Sequence, residues 1–273
     1  MSKPRRRLEP KKQTSQVLYK LDGQTYYSVI RAMRTNCLAT SLVRLPQAGK
    51  KLPRCYEYLG RMLALLDQVA SCAWGCPGTE DGHVLHRMIG RGVSSATSAI
   101  ELALIGQYDD SLAATRSIGE LANLLWLFSN DSSAFADWKS LESRARWSKY
   151  RPAKVRRKLL AIDELVLVEE EEYSALSEHG VHVTPSTSPN TIGAGHQPTL
   201  GGIYREDSLV ICINEVSWAI GVLALPSVKL LGPAKDSTKV LQTSKSLLMN
   251  VGGFRVSAIA DFLERQSTAQ VAS

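Results

Sequence analysis

The 273-residue sequence predicts an all-α protein, an irregular helical bundle built around an antiparallel helix hairpin. Three observations carry that expectation. Apolar residues recur at three- and four-residue spacing along most of the chain, with no sustained period-two alternation. Proline and glycine fall between the periodic stretches, where helices start and stop. Two of the longest periodic stretches, Gly82–Ile105 and Tyr108–Phe128, are separated by only a short turn, which folds helices back on each other.

Residues 1–16 read as a disordered basic arm, and residues 17–268 as a single helical domain. The first helix spans about Thr25–Leu42 and is broken by Leu45-Pro46-Gln47-Ala48-Gly49. A second opens near Pro53 and runs to about Cys76, with Leu59, Met62, Leu63, Leu66, Val69 and Ala70 at core spacing. Pro77-Gly78 stops it.

In Gly82–Ile105 the apolar stripe is Leu85, Met88, Ile89, Val93, Ala96, Ile100 and Ala103. The small residues Gly92, Ala96 and Ala99 allow a neighbouring helix to come close. Gly106 supplies the C-cap, and Asp109 or Asp110 is suited to the N-terminus of the next helix. In Tyr108–Phe128, Ala114, Ile118, Leu121, Leu125 and Phe128 make one apolar face. Arg116, Glu120 and Asn123 lie roughly opposite, hemmed by Leu112, Trp126 and Leu127. Ala96 and Ile100 are expected to face Ile118 and Leu121.

A shorter helix holding Ala134, Trp138 and Leu141 follows, then a basic segment with Trp147 and Tyr150. Pro152 restarts a helix through about Leu167, and Glu169 to about His179 forms another. Residues 184–202, rich in Pro, Gly, Ser and Thr, read as a long loop of the functional or disordered kind. Helices return at about Glu206–Leu225, Ala234–Asn250 and Gly253–Gln266. Leu209–Leu225 is the most apolar run, but it carries Asn214 and Glu215 and is short for a bilayer, so a buried helix is expected and no membrane span.

Net charge is +7, and its distribution matters more than its size. Residues 3–12 carry six cations and one acid. Residues 144–158 carry eight cations and no acid, and residues 163–172 carry six acids. Such blocks are either solvated faces neutralised by neighbours or a surface for RNA or another polyanion. Five scattered cysteines do not form a disulfide framework, and no apolar stretch follows the basic start, so the cytoplasm is the expected compartment.

Four of the five histidines come as pairs three apart, His83/His86 and His179/His182. The two-iron helical proteins place an acid three residues before such a histidine, and here those positions hold Leu176 and His83. Cys72 and Cys76 lie four apart with too short a gap to His83 and His86 for a zinc finger. No G-x-x-x-x-G-K-[ST], strand-linked G-x-G-x-x-G or G-x-S-x-G motif is present, so the sequence implies no cofactor or metal.

Two short motifs remain. Gly106-x-Tyr108…Arg116-Ser117-x-x-Glu120, together with Tyr173-x-x-Leu176-Ser177-Glu178-x-Gly180-x-His182, resembles a family of uncharacterised all-helical bacterial proteins. The resemblance implies a helical fold and marks Arg116, Glu120, Ser177 and His182 as its polar positions. The R-x4–6-H spacing of HEPN-type ribonucleases is not found, because no Arg lies five to seven residues before any His.

Two functional readings stay open. In one, the chain is an interaction or regulatory module, docking a protein partner, whose polar residues form a buried network fixing helix register. In the other, it binds RNA or a nucleotide. There Arg116, Glu120 and His182 are the catalytic candidates, and Ser177, Glu178, Arg144, Arg146, Lys149, Arg156 and Arg157 hold the ligand. Arg116 would grip an anion through its two-pronged guanidinium, and His182 would titrate near neutral pH. Trp147 and Tyr150 would add base stacking.

Overall fold

The computed structural model describes residues 23–48, 51–71, 80–181, 202–231 and 237–251. Among the described residues there are ten α-helices and no strand, so the protein is all-α. In chain order they are α1 (Gly23–Arg44), α2 (Lys51–Ala70), α3 (Glu80–Leu104), α4 (Tyr108–Asn130), α5 (Ser132–Ser140), α6 (Ser143–Tyr150), α7 (Pro152–Ala161), α8 (Glu170–Gly180), α9 (Glu206–Leu231) and α10 (Ser237–Val251). The basic arm, the 184–202 loop up to residue 201, the Gly253–Gln266 helix, Cys72 and Cys76 lie outside the described residues.

The turn between α3 and α4 is fixed by backbone bonding. Gly106 has φ +78°, its N–H donates to the Ala103 carbonyl, and the Gln107 N–H reaches back to the Leu102 carbonyl at 2.8 Å. That pair of bonds is a Schellman motif, and glycine occupies its left-handed position without strain. Gln107, not an aspartate, is the N-cap of α4; Asp109 and Asp110 lie in its first turn, where their charge favours the helix dipole. Ser111 Oγ donates to the Ala99 carbonyl at 2.8 Å, and Gly92 faces Leu121 further along. These two contacts occur in the order of an antiparallel pair.

The helix α9 is the centre of the bundle. It packs against α2, α3, α4 and α10, and Leu209, Ile213, Val216, Ile220, Val222 and Leu223 are fully buried along it. A helix apolar on every side belongs inside a protein or inside a membrane. By length and composition residues 206–230 would cross a bilayer, and 78% of that apolar window is buried inside this fold. Gly92 of α3 lies directly against Leu223, where a larger side chain would collide. At the start of α9, the fully buried Tyr108 accepts the Arg205 N–H at 2.8 Å and so ties the chain before α9 to the hairpin turn.

The helix expected from Pro152 to Leu167 ends at Ala161. Asp163 takes φ +58°, with Asp163 N–H on the Leu160 carbonyl and Glu164 N–H on the Leu159 carbonyl at 3.0 Å. This is the Schellman ending again, with an aspartate where the hairpin uses glycine. Leu167 and Val168 then bond through their backbone to Asn123 of α4, and α8 begins with a reciprocal Glu169–Glu172 capping box.

The basic segment contains a helix of its own, α6. An aromatic cluster of Phe128, Phe135, Trp138 and Tyr150, with Phe128–Phe135 ring centroids 5.1 Å apart, welds α4, α5 and α6 together.

Candidate functional site

Two polar assemblies on the described residues contain the candidate side chains. The first joins α4, α7 and α8. Arg116, on the third turn of α4, donates from Nη2 to Tyr173 Oη and lies 3.0 Å from Glu120 Oε1, one turn on. Its guanidinium carbon is 4.5 Å from the centroid of the Tyr173 ring, and that of Arg156, from α7, is 4.9 Å from the same centroid. Arg156 is 6% exposed at the side chain and reaches Glu170 Oε2 at 3.3 Å. One tyrosine on α8 thus serves two guanidinium groups from two other helices. The Nε atoms of both arginines are buried without a hydrogen-bond partner; the face of Tyr173 is what lies near them.

Ser177 is buried one turn beyond Tyr173 and donates its hydroxyl to the Tyr173 carbonyl at 2.7 Å. Among the described residues no histidine or carboxylate is bonded to it. Glu178 is exposed. The structure therefore brings Arg116 and Glu120 into direct contact, links Arg156 and Ser177 to them through Tyr173, and leaves Glu178 outside the network. His182 lies outside the described residues. Gly180, the last residue of α8, sets that helix on α4: a Cβ there would stand 2.7 Å from Ala113 N and 2.9 Å from Asp109 O.

Arg116 and Glu120 side chains are 20% and 31% exposed, so their ion pair is partly buried. Asn123, one turn further along α4, is buried outright. It takes the Leu167 and Val168 N–H groups on Oδ1, at 2.9 and 3.1 Å, and donates from Nδ2 to the Val168 carbonyl at 2.8 Å. Asn123 was visible in the sequence only as part of a polar trio. Tyr173 opens the second sequence motif, whose polar positions are Ser177 and His182. Neither the phase of α4 nor the spelling of the motif shows what docks on them.

The second assembly is the basic segment, and its eight cations divide into two groups. Arg146 donates to the carbonyls of Trp138 at 2.8 Å and Leu141 at 2.5 Å, closing the end of α5, and its guanidinium stacks on Trp138. Lys149 pairs with Asp137 at 2.7 Å, Arg156 is the Tyr173 partner just described, and Lys158 lies over the Tyr150 ring. Tyr150 is itself buried, its hydroxyl 2.6 Å from Asp137 Oδ2. Burial and that carboxylate keep its phenol protonated well above the usual tyrosine range. The Lys149 ammonium and the Tyr150 hydroxyl in turn hold Asp137 below the usual carboxylate range.

The side chains of the other four, Arg144, Arg151, Lys154 and Arg157, have no hydrogen-bonded, ion-pair or ring partner among the described residues. Arg144, Arg151 and Arg157 are exposed. Among them stands Trp147, 68% exposed, while Trp126 and Trp218 are buried and Trp138 is packed on the core. Of the ring pair expected to stack on bases, only Trp147 is accessible; Tyr150 is part of the core.

Of the two histidine pairs only His83/His86 is described at the side chains. His86 is buried with Nδ1 against the Val69 carbonyl, and among the described residues no group of three His, Cys, Asp or Glu side chains could hold a metal ion. No family model, curated protein or solved structure matches this chain.

Proposed function

We propose that this chain is a helical binding module that takes a polyanion on the ridge formed by α6 and α7. The observation that supports it most is the division of the basic segment. Four cations are consumed by the fold, and Arg144, Arg151, Lys154 and Arg157 are left unpaired among the described residues, on a stretch from Ser143 to Ala161 that contains no acid. Like charges crowded without counter-charge repel one another, and a bound anion relieves that repulsion. On this reading the Arg116–Tyr173–Arg156 stack is the frame that holds α7 in place, and the residues of that stack bear on folding rather than on chemistry.

The test is heparin binding at a series of salt concentrations, comparing the natural chain with a variant in which all four free cations are Gln. The natural chain is expected to bind with an affinity that falls steeply as salt rises. The variant, folded by circular dichroism, is expected to lose most of that binding. Equal binding by both would overturn the reading.

A second reading has its own observation. Leu160 and Ile162, at the end of α7, are 66% and 41% exposed, which suits an apolar contact with a protein partner. Replacing both with Ser would weaken such a partner while leaving heparin binding intact.

A further inference from the structure

We infer that the polyanion is a single-stranded nucleic acid and that Trp147 is the platform on which one of its bases stacks. This rests on the polyanion reading and adds a chemical requirement to it. A surface that recognises charge alone has no use for an exposed indole. Trp147 is nevertheless on the open side of α6, three residues after Arg144 and so on the same face of the helix. The chain has acceptable partners for tryptophan nearby, since Trp138 is held in the aromatic cluster and capped by Arg146. Trp147 is left out of that cluster.

The surroundings favour a nucleic-acid strand over an anionic membrane. A helix that settles into a headgroup region buries a whole apolar face. On α6 the exposed residues other than Trp147 are Ser143, Arg144, Ala145, Ser148 and Lys149, so α6 offers a membrane one indole and one methyl group, and α7 adds only Leu160 and Ile162 at its far end. A stacking site needs only one aromatic ring with cations beside it to follow the phosphates. Three of the four free cations are arginines, whose forked donors match phosphate oxygens. A single strand is favoured over a duplex because its bases are open to a ring, whereas duplex bases are stacked on each other.

The experiment uses the full chain with a fluorescently labelled oligo-dT of twelve nucleotides, the corresponding duplex, a heparin fragment, and vesicles of phosphatidylserine and phosphatidylcholine. Trp147→Ala is expected to weaken oligo-dT binding by about 5- to 150-fold, Trp147→Phe to restore most of it, and the salt dependence to stay as in the natural chain. Heparin has no bases, so its binding is expected to be indifferent to Trp147. If Trp147→Ala binds oligo-dT as well as the natural chain while the four-Gln variant does not, stacking is wrong and the polyanion reading stands. If the four-Gln variant also binds unchanged, both are wrong. Duplex binding as tight as single-strand binding, or vesicle binding that depends on Trp147, also overturns the inference.

Discussion

Asn123 grips Val168 by both of its backbone groups, accepting its N–H and donating to its carbonyl. A side-chain amide that pairs with a backbone amide in this way satisfies buried backbone groups of the irregular segment before α8, which belong to no helix. Replacing Asn123 with Ala strands three buried backbone groups, those of Val168 and the Leu167 N–H. A loss of about 3 kcal/mol or more is expected, read as a lower urea midpoint. Asn123→Asp is expected to cost a similar amount, because a carboxylate cannot donate to the Val168 carbonyl. A midpoint within error of the natural chain would show that the segment is held by its apolar side chains alone.

The Tyr173 ring and its hydroxyl make separable contributions. Tyr173→Phe keeps the face under both guanidinium groups and loses one hydrogen bond to Arg116, so less than about 1.5 kcal/mol is expected. Tyr173→Ala removes the ring from Arg116 and from the buried Arg156, and about 3 kcal/mol or more is expected. Arg116→Ala falls between them at about 1–2 kcal/mol, because its pair with Glu120 is partly solvated. Thermal melts of the three variants establish the order; a Phe variant as unstable as the Ala variant would refute it.

Asp137 makes stability depend on pH in a defined direction. Its folded pKa lies below the ordinary value of about 3.9 for an aspartate in an unfolded chain. The contribution is therefore complete above that ordinary value and is lost as pH falls through the lowered folded one. Melting temperature measured from pH 6 down to pH 2 is expected to drop less steeply for Asp137→Asn than for the natural chain. Parallel curves would remove Asp137 from the account.

Cys212 is buried in α9, and burial pushes its thiol up to about 12. Cys37 and Cys55 are buried with raised values for the same reason. Since the thiolate is the reactive form, iodoacetamide at pH 8 is expected to label these three only as fast as the fold opens. Peptide mapping after timed alkylation, with and without urea, measures this. Rapid labelling of Cys212 without urea would show that α9 is not seated as described.

What the sequence revealed and what it hid divide along a physical line. Gly106 was legible as a helix end, since the residue that tolerates a left-handed conformation announces itself. Asp163 makes the same ending and was read through, because aspartate is common inside helices as well. The apolar character of α9 identified a core helix from composition alone. The eight cations of the basic segment were legible as charge, but not as four that are spent and four that are free. The partners of Arg146, Lys149 and Arg156, which are Asp137, Glu170, Tyr173 and the carbonyls of Trp138 and Leu141, come from outside the segment. Periodicity describes an element against itself and is silent about what arrives from outside.

The place of α9 in the chain has a consequence for how the protein is made. A ribosome delivers α2, α3 and α4 first, and then 75 residues, from 131 to 205, before the first turn of the helix that covers them. At about 5–20 residues per second that interval is about 4–15 s. Throughout it, the sides of α2, α3 and α4 that pack on α9 have no cover, in a cell crowded with other unfinished chains. Birth order thus runs against assembly order: the keystone is set after the arch that leans on it. A message cut short before codon 206 would release not a smaller protein but an open core, because the helix on which α2, α3 and α4 pack would be missing.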